Sequence, residues 1–163
     1  MKFLLPLILV VILCAGYRAE FPENEKTGRT AVVQQVKADV RVTDLRVGGQ
    51  ASDYTFFVSL RSDDTGCAQY ADWWEVVDTR GHLVYRRILA HSHPGEQPFT
   101  RPGGPVDLEE DQVVYIRGHM NKTGYGSGWF KGSVRNGFSP VGADPGFAPE
   151  LDRQPPLPKD CAF

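Results

Sequence analysis

The sequence predicts an all-β protein: a two-sheet antiparallel sandwich followed by a Pro-rich C-terminal tail. Three observations carry this. Apolar residues recur at every second position in short runs, as a half-buried strand requires. The runs are separated by clusters of turn-forming residues. No long stretch has helical periodicity, and the chain holds 17 Gly and 12 Pro among its 163 residues.

Val36, Ala38, Val40 and Val42 alternate with Lys37, Asp39, Arg41 and Thr43. Leu45 and Val47 then move to odd positions, and that change of phase predicts a bulge or bend after Val42. Tyr54, Phe56, Val58 and Leu60 form the next strand, and 62–66 (Ser-Asp-Asp-Thr-Gly) is a turn by composition. The runs 73–77 and 83–90 read as a hairpin around 78–81 (Asp-Thr-Arg-Gly). Residues 94–105 read as a Pro- and Gly-rich loop, 106–108 as a short strand, 112–119 as a clear strand and 129–134 as another. After Phe138 come Pro140, Pro145, Pro149, Pro155, Pro156 and Pro158, a spacing that predicts an extended wrap without strand or helix. Phe138, Phe147, Leu151, Leu157 and Phe163 are its candidate anchors. About seven strands result, which suits a sandwich, with a barrel of similar strand number as the alternative.

The N-terminus reads as an export signal. Lys2 precedes an uncharged apolar run from Phe3 to Cys14, closed by Ala15 and Gly16. The run is shorter than the roughly 20 apolar residues that span a bilayer. One reading cuts after Gly16, making Tyr17 the first mature residue. The competing reading acylates Cys14, as in a bacterial lipoprotein, although Leu13 stands where such signals carry a small residue. The organisation is then signal peptide 1–16, linker 17–30, β-sandwich 31–138 and C-terminal wrap 139–163. With Cys14 removed or acylated, Cys67 and Cys161 remain; an oxidising compartment would pair them as one disulfide, the alternative being two unpaired thiols.

Formal net charge is −2, with both signs interspersed. Arg86-Arg87 is the one adjacent basic pair in the folded part, so the electrostatic footprint of a nucleic-acid binder is missing. The most suggestive chemistry is His91-Ser92-His93, whose imidazoles lie on one side of an extended segment. With His119, Met120 or Glu96 they would make a copper or zinc site, copper if the set is His/Met and zinc if it is His/Glu. The bland alternative is a pair of loop histidines bonded to carbonyls. His82, beside the hairpin turn, reads as solvent-facing. No other cofactor is implied.

A hydrolase needs a nucleophile, a base and an orienting acid. Ser92 lies between two histidines that point away from it, and neither it nor 126–128 (Gly-Ser-Gly) sits in a nucleophile elbow. The acidic cluster at 109–111 reads as a solvated turn. No catalytic residue is assigned. Tyr125 and Trp129, in a glycine-rich setting, are candidates for a partner surface. Asn121-Lys122-Thr123 fits the N-glycosylation pattern.

Two local patterns carry resemblances. Asp111-Gln112-Val113-Val114-Tyr115 resembles the tyrosine corner of immunoglobulin-like domains. That likeness implies an immunoglobulin/fibronectin-III-like sandwich, with Trp73 or Trp74 as the core indole and the Tyr115 hydroxyl returning to the backbone. Arg117 stands where antibody domains have their second Cys. His-Ser-His-Pro-Gly-Glu-Gln-Pro-Phe at 91–99, with Gly-Gly-Pro-Val at 103–106, is similar to small uncharacterised bacterial exported proteins.

The expected function is therefore non-catalytic binding or envelope interaction, with an unidentified protein or glycan partner in the periplasm or outside the cell. Its expected working surface joins the 91–99 loop to the end of the 112–119 strand. Membrane contact is expected only through the signal or a lipid anchor. The second expectation is a periplasmic metal-binding or metal-delivery protein using His91, His93 and His119. The third is a small hydrolase.

Overall fold

The computed structural model describes residues 37–162; the leader with Cys14, the whole linker, residues 31–36 and Phe163 lie outside the described residues. Among the described residues nine strands are formed: β1 (Val40–Gln50), β2 (Asp53–Ser62), β3 (Ala71–Asp78), β4 (Leu83–Ile88), β5 (Phe99–Val106), β6 (Val114–Met120), β7 (Gly124–Tyr125), β8 (Gly128–Ser133) and β9 (Gly137–Gly142). A short 3₁₀ helix follows at Pro149–Arg153.

The strands make one sheet in the order β4-β3-β6-β8-β1-β2-β5, with β7 added to β6 and β9 to β8. Pairing is antiparallel except where β1 meets β8 in parallel through Arg41 and Gly128. The two ends of this path curl together. Gly103 on β5 lies against the Trp74 ring of β3 and the Tyr85 ring of β4, and a Cβ there would sit 2.6 Å from Trp74 Cζ2. The sheet is thus a nearly closed, barrel-like sandwich. Closure reduces the exposed sheet edge, as barrels do generally.

The period-two residues fill the interior. Val40, Val42, Phe56, Val58, Leu60, Trp74, Val76, Ile116 and Met120 are all buried there. Each large apolar side chain so buried contributes about 1.5–3 kcal/mol. The phase change in β1 is real: pairing with β2 slips between Val42 and Asp44, and Leu45 and Val47 then pack against the core from odd positions.

Two segments differ from the sequence expectation for one physical reason. Residues 99–106 form a strand despite Pro102 and Pro105, and Pro140 lies within β9 opposite Phe130. Both strands have a neighbour on one side only. Proline lacks an N–H to donate, which excludes it from central strands but not from edges. The wrap beginning at 139 therefore starts as a strand. It also contains a 3₁₀ turn, with Pro149 at its first position where no N–H is needed. The wrap's anchors are Phe138, edge-on to Phe56, together with Phe147 and Leu151; Leu157 is exposed.

The tyrosine corner differs too. The Tyr115 ring packs on Phe147 and Trp129, with Lys131 over its face. Among the described residues its hydroxyl has no backbone partner.

Cys67 and Cys161 form the expected disulfide, closing 94 residues of sequence. A loop of that length is worth about 4–5 kcal/mol in the chain-entropy account. The bond fixes the end of the tail beside Ala90, whose carbonyl accepts the Ala162 N–H.

The β3–β4 turn is held by one carboxylate. Asp78 accepts the backbone N–H groups of Arg80 and His82 and contacts both of their side chains. Burial pushes its pKa up, but these bonds outweigh burial and set it at about 2, below the ordinary 3.8. A depressed folded pKa contributes stability above the unfolded value and loses it as pH falls through the folded one. The turn should therefore weaken as pH drops from about 4 to about 2. Asp78→Ala is expected to lower the melting temperature at neutral pH and to flatten that acid limb. An acid limb unchanged in the variant would contradict this role.

Candidate functional site: a buried charge network and the cleft beside it

Strand β3 (Ala-Asp-Trp-Trp-Glu-Val-Val-Asp) is buried along its whole length. One face, Trp74 and Val76, enters the main core. The other carries Trp73, Glu75 and Val77, which a soluble sheet would ordinarily expose. Here the C-terminal tail covers it: Val77 packs with Ala148 and Leu151 as a second small core, flanked by Leu83, Tyr125 and Phe147.

Glu75 is fully buried at the centre of this face. The register places an arginine directly opposite it on each neighbouring strand, Arg86 on β4 and Arg117 on β6. Arg86 donates to Glu75 Oε2 from Nε at 2.8 Å and also from Nη2, while Arg117 Nε donates to Oε1 at 2.9 Å. Two cations face one anion, so the network needs further acceptors. The tail supplies backbone carbonyls. Arg86 donates to those of Leu151, Gln154 and Pro156, and Arg117 to those of Phe147 and Ala148.

Aromatic rings enclose the cations. The Arg86 guanidinium lies 4.4 Å from the Trp73 ring centroid, and that of Arg117 lies 3.5 Å from Tyr125 and 5.1 Å from Trp129. Cation–π contacts strengthen when desolvated, to about 2 kcal/mol. His119, next along the same face, stacks on Trp73 at 3.6 Å and bonds through Nδ1 to Asp72 at 2.7 Å. Burial raises the Asp72 pKa, against the opposing effect of His119.

Beside the network a cleft of about 230 Å³ opens between β7, β8 and the tail, walled by Arg117, Tyr125, Trp129 and Phe147, with Lys37 and Asp144 at its polar positions. It continues into a shallower groove along Asp39, Arg41 and Ser127. Ser127 is fixed there by two hydrogen bonds to Asp39. Gly126 passes so close to the Val40 carbonyl that any Cβ would collide with it. This glycine lets the cleft floor form.

Tyr125 and Trp129, read from sequence as a partner surface, are thus wall residues rather than free-standing rings. Trp129 is buried and donates Nε1–H to the Gly126 carbonyl at 2.8 Å.

The expected metal set is not brought together. Met120 lies in the main core, while His119 is on the tail-covered face and engaged by Asp72. His91 and His93 are neighbours, with ring centroids 4.4 Å apart, but Glu96 pairs with Arg101. Among the described residues no three His, Cys, Asp or Glu side chains are grouped to hold a metal ion. The two-residue spacing makes His91 and His93 neighbours in the loop after β4, whereas alternation along β6 sends His119 and Met120 to opposite faces.

The expected working surface is interrupted by the Cys67 loop. Gly66 N–H donates to Ser92 Oγ on one side, and Asn121 Nδ2 donates to the Cys67 carbonyl on the other. Asn121 also accepts the Tyr70 N–H, so the glycosylation-like triplet begins with a loop clamp. Ser92 Oγ is further bonded to Asp64. The cluster at 109–111 contributes an exposed Glu110–Arg135 pair, and His82 is exposed beside Asp78. Sequence reading missed Glu75, Arg86 and Arg117 as a unit. The available signal was a lone carboxylate inside the run Trp-Trp-Glu-Val-Val.

A protein of Halomicrobium mukohataei described as "Putative lipoprotein" is 40% identical over 87 residues, covering 53% of this chain and 42% of that protein. The chain thus spans less than half the length of this relative. No family model matches, and no solved structure matches. Among the described residues no helix is long and apolar enough to cross a membrane.

The Tyr125 hydroxyl is buried near Glu75 without a well-formed hydrogen bond, and burial, then Glu75, raises its pKa above the usual phenol range. Tyr125→Phe removes a buried unsatisfied hydroxyl and should leave stability unchanged or raise it by about 1–3 kcal/mol. Tyr125→Ala removes the ring over Arg117 and should cost about 2–3 kcal/mol. Urea unfolding of both variants checks this, and a large loss in Tyr125→Phe would instead assign the hydroxyl a bond to Glu75.

Proposed function

We propose that this chain is an exported, lipid-anchored, non-catalytic binding domain that presents the cleft beside Arg117 to a partner in the cell envelope. The cleft carries the reading: three aromatic walls with a few convergent charged groups are what a sugar ring or an apolar side chain with a polar end would fit. The guanidinium of Arg117 is held by Glu75 and the tail carbonyls, so the wall is set before any partner arrives. Rigid walls reduce the ordering cost of binding.

The printed description of the Halomicrobium relative favours acylation at Cys14 over a cut after Gly16. The linker would then hold the domain away from the membrane, with no contact beyond the anchor. No nucleophile is bonded to His119 or His93 among the described residues, and the metal reading gains no ligand set. Both observations favour binding over chemistry.

The anchor is tested with the full chain and its Cys14→Ser variant in a host that processes lipoproteins. The parent chain is expected to take up labelled fatty acid and to partition with membranes. The variant should remain unlabelled and soluble. An unlabelled parent chain beginning at Tyr17 would overturn the anchored reading.

A further inference from the structure

A second cavity lies far along the chain from the Arg117 cleft, between the end of β4, the loop 91–98 and β5. It encloses about 120 Å³ and is lined by Arg87, Leu89, His91, His93 and Arg101 among others. A cavity needs only about 10–15 Å³ to hold a water, so this one has room for a small ion. Four basic side chains on its wall are unusual in a chain whose net charge is −2.

Arg87 is exposed and makes no ion pair among the described residues. Arg101 pairs with Glu96, which lies on the surface, at 2.9 Å. His93 is buried and stacks on Phe99 at 3.9 Å, and both of its ring nitrogens lack a hydrogen-bond partner. The nearest carboxylate, Asp64, is 3.9 Å from Nδ1 and already accepts the His93 backbone N–H. Leaving a buried polar atom unsatisfied costs about 1–3 kcal/mol. The loop nonetheless holds the ring there: Gln97 bonds to the His93 carbonyl and to Ser62.

We propose that this cavity binds a tetrahedral oxyanion of the phosphate or sulfate type, held between Arg87 and Arg101 with the His93 ring as a buried hydrogen-bond donor. The arginines come from different strands and the histidines from the connecting loop, so the donors surround a group rather than meet it in one plane. Charge-assisted bonds from guanidinium to oxyanion are the strong kind. Burial, with the neighbouring Arg101 and His91 charges, holds His93 below its ordinary pKa. A neutral ring offers one N–H. Glu96 is the built-in competitor, because its carboxylate occupies the Arg101 fork. A cation would meet two guanidiniums here, which disfavours copper or zinc.

The test titrates the exported protein with inorganic phosphate, sulfate, sodium chloride at matched ionic strength, and zinc, following the histidine ring resonances by NMR. Phosphate or sulfate is expected to shift His91 and His93 saturably, with Kd of about 1 mM or tighter. Arg87→Ala and Arg101→Ala should each weaken this by about tenfold or more, and Glu96→Ala should tighten it. Arg87 and Glu96 are exposed and Arg101 is half-buried over the Phe99 ring, and melting curves confirm that each variant is folded. Shifts equal to those of chloride, or unchanged affinity in both arginine variants, would overturn the proposal. So would stoichiometric zinc binding at the two histidines without an oxyanion effect.

Discussion

Burying Glu75 constrains more of this structure than any other single feature. A carboxylate taken out of water costs several kcal/mol even after relaxation, and the cost is recovered only with good geometry and complete hydrogen bonding. Arg86 and Arg117 provide the geometry because both stand in register with Glu75. They also bring one positive charge too many and donors that Glu75 cannot absorb. Five carbonyls of the tail complete the set. The tail is therefore a structural requirement of the sheet, and the sheet is what orders the tail. Sequence separations of 65–70 between Arg86 and its tail acceptors make this a long-range closure.

The same closure shapes the candidate site. Phe147 reaches the cleft because the carbonyls of 147 and 148 are held by Arg117. Tyr125 and Trp129 converge on it because both rings stack near that guanidinium. The disulfide works at the other end of the tail, fixing 161 to the Cys67 loop beside the histidine cavity. Tail and cleft are thus organised from one covered face of β3, β4 and β6, while the histidine cavity is built from the end of β4, the loop after it and β5.

What the sequence disclosed followed from local rules. The slip after Val42 was legible because an odd-for-even change in apolar positions is visible within ten residues. The disulfide was legible because a chain read as exported, with two remaining cysteines, leaves one pairing. The prolines at 102, 105 and 140 were misread because edge position, which makes them tolerable, is a property of the whole sheet. Tyr125 and Trp129 were recognisable as a group, yet their burial depends on a tail placed by arginines far away in sequence. Glu75 itself carried a signal, since a carboxylate between two tryptophans and two valines must find a cation. Nothing local said which cation, or that the tail would finish the network.

The most direct measurement is hydrogen exchange across the tail in Glu75→Gln. Removing the charge leaves two guanidiniums buried with only carbonyls to face, a loss of about 3–5 kcal/mol when one partner of a buried pair is removed. If Glu75 anchors the tail, the amides of Leu151 and Gln154 should lose protection far more than those of β2, whose pairing does not touch the network. The cleft-lining Phe147 should follow them. Tail protection equal to the parent protein's, in a variant that remains folded, would contradict the account and place the tail's order in its apolar contacts alone.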